Sequence, residues 1–269
     1  MAACASNGGP VQEAAFRPSP QALGASPGEV DATPAGASTL AAVANGPDHA
    51  GDGALDAGSR QPPALPAASF STSLGSPTNG RVLGSVALPL EGPGFRFNSR
   101  RDSGARYGTV EVIGTIERAA STVRGRFPDS ELVVNDIGLA EGGTIPHHGS
   151  HRAGRDADIL FYLRGDDGAP TPSVGAPLDP AGIGFDFKEL SDPADDVRVH
   201  FDAERTWHFV AALLEDAEAR VQRIFVVEHL RSALLAAARR AHAQAETVAR
   251  FEDVTCQPSY PHDDHLHVR

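Results

Sequence analysis

The feature that most constrains this chain is a sharp change in composition near residue 80. Residues 1–79 are dominated by Ala, Gly, Pro and Ser, with almost no aromatic residues and no hydrophobic period. Such a segment cannot bury enough apolar surface to offset the entropy lost on ordering its backbone. We therefore predict that residues 1–79 are disordered and that residues 80–269 form one folded domain with a single core.

Net charge and hydropathy restrict the partners of such a chain. The formal net charge is -12 and the Arg residues are scattered, so we expect no nucleic-acid partner, which would require a basic patch. No stretch approaches the roughly 18 apolar residues of a membrane span. The N-terminus lacks the basic and apolar regions of a complete signal peptide.

The two cysteines suggest different roles. Met1-Ala2-Ala3-Cys4 is either a chance Ala-rich start or the end of a lipoprotein cleavage box. In the second case, a lipidated Cys4 would anchor the protein to a membrane and the disordered segment would be its tether. Cys256 is expected to be a free thiol, because a disulfide between a disordered terminus and a folded domain is not expected.

Hydrophobic periodicity predicts an α+β domain. Apolar residues three or four apart predict an amphipathic helix within Tyr107–Phe127, and further helices begin near Trp207 and Leu230. Short apolar runs predict buried strands, and an Asp-, Pro- and Gly-rich stretch at 165–198 predicts a surface insertion near the site. We expect a small antiparallel sheet flanked by helices, with a zinc site at the sheet. The predicted strands are 132–137, 157–163, 221–227 and 266–268.

The first of two clusters rich in His and Asp spans residues 147–159. Imidazole nitrogens and carboxylate oxygens are typical zinc ligands. His151 lies in a predicted loop and Asp158 at the start of a predicted strand, and a turn at Gly154 can bring both to one ion. Asp156 and Asp158 share a strand face, so one could bind metal while the other orients a ligand.

The second cluster spans residues 262–267. Strand alternation places His265 and His267 on one face and Leu266 in the core. Three protein ligands with an open fourth position are typical of catalytic zinc, where a bound water can attack a carbonyl. A structural zinc would require four ligands, usually with Cys, and neither cysteine lies in a metal-binding motif.

At their spacing, the two clusters resemble the penicillin-insensitive murein endopeptidases. These belong to a larger group that includes D-Ala-D-Ala dipeptidases and carboxypeptidases. That family usually continues past its last motif to a further Cys, whereas this chain stops at Arg269. The motifs that carry the resemblance are Ser150-His151-x-x-Gly154-x-Asp156-x-Asp158-Ile159 and Pro261-His262-x-x-His265-x-His267-Val268-Arg269.

The resemblance implies a role for each site residue. Zinc would be bound by His151, Asp158 and His267, with His148 as an accessory ligand or hydrogen-bonding partner. Asp264 and His265 are equal candidates for the acid/base residue, and His262 is a weaker one. Ser150 and Asp156 would steady the ligands.

We therefore expect a zinc-dependent endopeptidase that hydrolyses D-alanyl cross-links of peptidoglycan by a metal-activated water, in the periplasm or cell envelope. One alternative is a D,D-carboxypeptidase or dipeptidase of the same fold. Another is a non-catalytic zinc-containing module that binds the cell wall, although the candidate acid/base residues Asp264 and His265 are both present.

Overall fold

The first described residues form a β-hairpin. The computed structural model describes residues 70–186, 192, 194–260 and 262–269. Strand β1 (Thr72–Ser76) lies before the boundary that composition predicts at 79/80, and it pairs with β2 (Asn79–Leu83). Composition does not distinguish this hairpin, because its Ser and Gly residues resemble those of the preceding segment. The predicted disorder of residues 1–69, the lipid anchor at Cys4 and Pro261 lie outside the described residues.

The rest of the described chain alternates short strands with four α-helices. The helices are α1 (Val110–Arg126), α2 (Ala203–Glu215), α3 (Glu228–Arg240) and α4 (Ala245–Val254). The strands are β3 (Val86–Ala87), β4 (Glu91–Gly92), β5 (Phe95–Phe97), β6 (Tyr107–Gly108), β7 (Leu132–Val134), β8 (Ala157–Leu160), β9 (Leu163–Arg164), β10 (Pro170–Thr171), β11 (Ile183–Phe185), β12 (Arg198–Phe201), β13 (Ile224–Phe225), β14 (Thr255–Cys256) and β15 (His265–Val268).

The central sheet has seven strands in the order β14-β13-β15-β8-β7-β5-β4. The α+β class is confirmed, but the expectation of a small antiparallel sheet is wrong. The pairs β5–β7 and β13–β14 are parallel, and the others are antiparallel. A parallel pair needs a crossover connection. Helix α1 lies between β5 and β7 in sequence, and α3 and α4 lie between β13 and β14.

Helix α1 follows its sequence pattern closely. Thr109 caps its N-terminus by accepting a hydrogen bond from the amide of Val112. Its apolar stripe, which includes Ile113, Ile116 and Val123, is buried, as the three- and four-residue spacing predicts. Helix α1 packs against α2, and α2 packs against α3 and α4. These contacts place the core between the helices and the sheet.

The predicted insertion at 165–198 contributes to a second sheet of four strands, in the order β10-β9-β12-β11. Residues 187–191 and 193 of this stretch lie outside the described residues. Its loop contacts the segment before β15, because the amide of Leu178 donates to the carbonyl of Asp263 at 2.9 Å. His229 Nε2 donates to the carbonyl of Leu178 at 3.0 Å. The insertion therefore lies beside the second His cluster.

Two further expectations concern the thiol of Cys256 and the absence of a membrane span. Cys256 is disulfide-bonded, so the expectation of a free thiol is wrong. No helix in the described part of the chain has the length and hydropathy needed to cross a membrane.

Candidate metal centre

The two His and Asp clusters meet at the centre of the seven-stranded sheet, on the neighbouring strands β8 and β15. The register pairs Asp158 with His267 and Leu160 with His265. Leu266 is fully buried, as strand alternation predicts. Pairing between β8 and β15 therefore brings together side chains that lie more than 100 residues apart in the sequence.

His151 reaches the same point from the loop before β8. The residue is completely buried and has a φ of 67°, a left-handed conformation that is uncommon for a residue other than Gly. Its amide donates to Asp156 Oδ2 at 3.0 Å. Gly154 has a φ of 68°, and a Cβ there would lie 3.0 Å from Val82, so the predicted turn requires Gly.

Hydrogen bonds on the far side of two imidazole rings fix the nitrogens that face Asp158. His151 Nδ1 donates to the carbonyl of Ile137 at 3.0 Å, so in the neutral ring the lone pair lies on Nε2, 3.3 Å from Asp158 Oδ1. His267 Nε2 donates to Asp156 Oδ1 at 3.1 Å, so its Nδ1 faces Asp158 Oδ1, also at 3.1 Å. Both rings therefore present a metal-binding nitrogen to one carboxylate.

The donor atoms fit a divalent metal ion. His151 Nε2 and Asp158 Oδ1 are both buried and have no hydrogen-bond partner in the described residues. Leaving such atoms unpaired is costly, and a cation between them would satisfy both. In tetrahedral zinc sites with bonds of ~2.0–2.1 Å, ligand atoms lie about 3.4 Å apart. The observed separations of 3.1 and 3.3 Å are close to this value.

His148 also lies beside this group, and it is held by Asp136, a residue that the sequence analysis did not identify. Its Nε2 donates to Asp136 Oδ2 at 2.9 Å, and its Nδ1 lies 3.6 Å from Asp158 Oδ2. His148, His151 and Asp158 thus form one potential metal-binding set. Asp136 is almost fully buried, and Arg101 lies 3.5 Å from its carboxylate. The sequence marks Asp136 only as an acidic residue within the apolar run 132–137.

The three candidate catalytic residues occupy the other side of Asp158. His265 Nδ1 lies 2.5 Å from Asp264 Oδ1, and His265 Nε2 lies 3.5 Å from Asp158 Oδ1. His262 packs with its ring centre 4.8 Å from that of His265 and donates from Nδ1 to the carbonyl of Tyr260. His262, His265 and His267 form a second potential metal-binding set.

Burial and the Asp158 charge oppose each other in setting the histidine pKa values. Burial is the largest single influence on the pKa values of His151 and His265, and it lowers both. The charge of Asp158 outweighs burial only together with the other hydrogen bonds and charges, from Asp158 and Asp156 at His151 and from Asp264 at His265, and each pKa is raised to about 9. The pKa of His262 falls to about 4, because burial and the neighbouring His265 and His267 all disfavour its charged form. Without metal, the centre therefore holds protons where a cation would otherwise lie.

Asp156, which the sequence predicts to steady the ligands, contacts two of the predicted ligand residues. Its carboxylate is fully buried and accepts hydrogen bonds from the His151 amide, His267 Nε2 and Arg269 Nε. Burial raises the pKa of Asp156, but the hydrogen bond and charge of His267 and the charge of Arg269 outweigh it and lower the pKa. Arg269 was not identified as a site residue. Ser150, in contrast, takes no part in the hydrogen bonds that hold His151 in the described structure.

Three bacterial proteins, each named penicillin-insensitive murein endopeptidase, are similar to this chain. The protein of Haemophilus influenzae is 28% identical over 200 residues, which cover 73% of this chain and 62% of the relative. That of Klebsiella pneumoniae subsp. pneumoniae is 33% identical over 92 residues, 34% of this chain and 33% of the relative. That of Pectobacterium atrosepticum is 32% identical over 101 residues, 37% of this chain and 35% of the relative.

These alignments cover from about a third to 62% of the relatives' own length. A family model covers about as much of the chain as the longest of these alignments. The model described as penicillin-insensitive murein endopeptidase matches residues 73–269, a range that begins in β1 and includes every residue of the candidate centre. Because this match spans well over half of the sequence, the chain belongs to the penicillin-insensitive murein endopeptidase family.

Proposed function

We propose that this protein is a zinc-dependent endopeptidase that hydrolyses D-alanyl cross-links between peptidoglycan stem peptides. The observation that carries the proposal is the pair of buried, unpartnered atoms His151 Nε2 and Asp158 Oδ1, which lie 3.3 Å apart beside His267 Nδ1. Family membership supplies the substrate class, and this donor set supports the choice of zinc.

His151, Asp158 and His267 would hold the zinc, and His148 lies close enough to assist. Zinc bound there would lower the pKa of a water molecule and polarise the scissile carbonyl. Asp156 keeps the Nε2 proton of His267 in place, and the carbonyl of Ile137 keeps the Nδ1 proton of His151. These bonds hold both rings in the tautomer that a metal needs.

His265 is the better placed of the two equal candidates for the acid/base residue. Its Nδ1 donates to Asp264, which leaves Nε2 directed toward the centre, 3.5 Å from Asp158 Oδ1. In the neutral form of the ring, Nε2 can accept the proton of the attacking water and return it to the leaving amine. Asp264 orients the ring and stabilises its charged form, as a carboxylate does for a catalytic histidine elsewhere. His262, whose lowered pKa keeps it neutral, packs against His265.

The direct test uses purified cross-linked muropeptide dimers. Zinc-loaded protein, chelator-treated protein and a His151→Ala variant are incubated with dimers, and monomers are followed by chromatography. We expect monomers only from the zinc-loaded protein. His200→Ala is the matched control, because His200 is a half-buried histidine that pairs with Asp166, outside the centre. It should retain activity.

Other outcomes separate the competing functions. Release of terminal D-alanine from monomers, with dimers left intact, would indicate a carboxypeptidase. Stoichiometric zinc binding with neither product would indicate a wall-binding module, and the endopeptidase proposal would then be abandoned.

The proposed substrate places the protein in the cell envelope. A lipid at Cys4 would anchor it there, and this remains a prediction from sequence. The chain has only two cysteines, so a lipid on Cys4 and an intrachain disulfide of Cys256 exclude each other. Mass spectrometry of the N-terminal peptide from envelope fractions, with and without reduction, distinguishes the two states.

A further inference from the structure

A cavity lies behind the metal centre, on the opposite face of strands β8 and β15. Ile159 and Val268 line it, and strand alternation directs them away from the face that carries Asp158 and His267. Helix α1 forms the facing wall through Val112 and Ile116. The cavity has a volume of about 250 Å³ and is separated from the centre by the sheet itself.

Positive charge dominates the polar part of this cavity. Its lining includes Arg155, Arg220 and Arg269, against a single acidic side chain, that of Glu111. Arg269 is engaged with Asp156, whereas Arg220 is exposed and forms no ion pair in the described part of the chain. A local excess of arginine in a protein of net charge -12 favours an anionic ligand.

Two buried polar atoms of lining residues also lack partners. Thr115 is 5% exposed and its Oγ1 has no hydrogen-bond partner among the described residues, although a helical threonine can bond to the carbonyl one turn earlier. Arg155 Nε is likewise buried and unpaired. Both atoms have almost no accessible surface, so they lie within the cavity wall and do not themselves contact a ligand.

We propose that this cavity binds a small amphipathic anion, namely one short acyl chain that carries a carboxylate. The chain would pack against Ile116 and Val268, and the carboxylate would lie near Arg220 and Arg155. Pockets for drug-sized ligands have volumes of ~300–1,000 Å³. The smaller cavity here therefore suits one chain of a free amphiphile.

Calorimetry on the full-length protein with sodium octanoate as the probe tests this proposal. We expect one octanoate per protein and at least about tenfold weaker binding of octyltrimethylammonium, which has the same chain and the opposite charge. Octanol, which is neutral, should bind with intermediate affinity. Vesicles of dioleoylphosphatidylglycerol should leave octanoate binding unchanged, since the ligand is a free molecule.

Variants then locate the site. Arg220→Gln should weaken octanoate binding several-fold and leave octanol binding unchanged. Arg124→Gln is the matched control, because Arg124 is an exposed arginine of α1 outside the cavity lining. Val112→Trp at the cavity wall should abolish binding of octanoate and octanol together. Circular dichroism and zinc content verify that each variant is folded.

Binding must also be independent of the metal centre. Chelator-treated protein should bind octanoate as the zinc-loaded protein does, because the sheet separates the two sites. The proposal therefore survives if the endopeptidase proposal fails. It is overturned if octanoate does not bind at millimolar concentration, if both charges bind equally, or if Val112→Trp leaves binding intact.

Discussion

Two groups of the same residue types show what distinguishes the candidate metal centre from a surface salt bridge. At the centre, His151 lies 3.3 Å from Asp158. On the second sheet, His200 lies 2.7 Å from Asp166, which Arg198 also contacts at 2.8 Å. By distance alone, the second pair is the closer one. The centre is buried, whereas the Asp166 side chain is 55% exposed.

The difference lies in which partners remain available. Asp166 is satisfied by Arg198, His200 and solvent, and the hydrogen bond from Arg198, followed by that from His200, lowers its pKa to about 2. Asp158 Oδ1 faces only ring nitrogens, and it lacks a hydrogen-bond partner in the described structure. A buried carboxylate surrounded by imidazoles needs a cation or protons, whereas an exposed one needs neither.

The largest expected effect comes from removing one charge in each group. Asp158→Asn keeps the shape of the side chain but removes the negative charge from the centre. We expect loss of stoichiometric zinc binding and at least a ~100-fold drop in monomer release. This is more than the ~10–100-fold loss that is usual for a residue that only hydrogen-bonds to a metal ligand. Asp166→Asn should leave both unchanged. Equal losses in the two variants would refute the distinction between the groups.

Asp156→Asn tests the residue that contacts two of the proposed ligands. The amide can no longer accept charge-assisted hydrogen bonds from His267 and Arg269, so we expect zinc affinity to fall by ~10–100-fold. Metal competition with a chromophoric chelator measures the change. Arg198→Gln, which removes a comparable bond from the exposed group, is the control and should not alter zinc affinity.

The pH dependence of zinc binding sharpens the same contrast. In the metal-free protein the pKa values of His151 and His265 are raised to about 9, so zinc competes with protons below that pH. Affinity should therefore rise with pH up to about 9, by about tenfold per pH unit for each proton displaced. Calorimetry in two buffers of different ionisation enthalpy counts the released protons. His200→Gln should release the same number.

The stability of the metal-free protein should change with pH in the opposite direction to zinc affinity. A raised histidine pKa stabilises the folded metal-free protein below the unfolded value of about 6.5, and this stabilisation is lost as pH rises through about 9. Thermal unfolding of chelated protein from pH 6 to 9 should show a falling Tm. A flat or rising profile would contradict the assignment of these protons to the centre.

The smallest expected effect is on the thermal stability of the loaded protein. A ligand present at 100 times its Kd stabilises by about 2.7 kcal/mol, which for a domain of this size corresponds to about 5–10 °C in Tm. Chelation should lower the Tm of the unmodified protein and of Asp166→Asn by this amount. It should not change the Tm of Asp158→Asn, which has no metal to lose.

The sequence predicts those parts of the molecule in which local pattern decides structure. Helix α1 and strand β15 follow their periodicities, and the two motifs identify the residues that meet around Asp158. The sequence analysis does not identify helix α4, although its buried residues Thr247, Phe251 and Val254 have the four- and three-residue spacing of one helix face. Only two of these three residues are apolar, so the pattern is short.

What the sequence could not predict depends on distant contacts. Asp136 reaches His148 across the loop that connects β7 and β8, and Arg269 reaches Asp156 because β15 pairs with β8. The mixed character of the sheet and the disulfide of Cys256 likewise depend on which elements become neighbours. None of these contacts leaves a local trace in composition or spacing.

The separation of the ligands along the chain has a consequence for chain topology. His151 and Asp158 lie in the first motif and His267 in the last strand, so a metal bound by all three would close a loop of more than 100 residues. A cross-link that closes about 100 residues removes about 4–5 kcal/mol of entropy from the unfolded chain. Bound metal would therefore cross-link the two ends of this loop. In limited proteolysis of the metal-loaded protein, residues 151–267 should be degraded as one unit or remain intact.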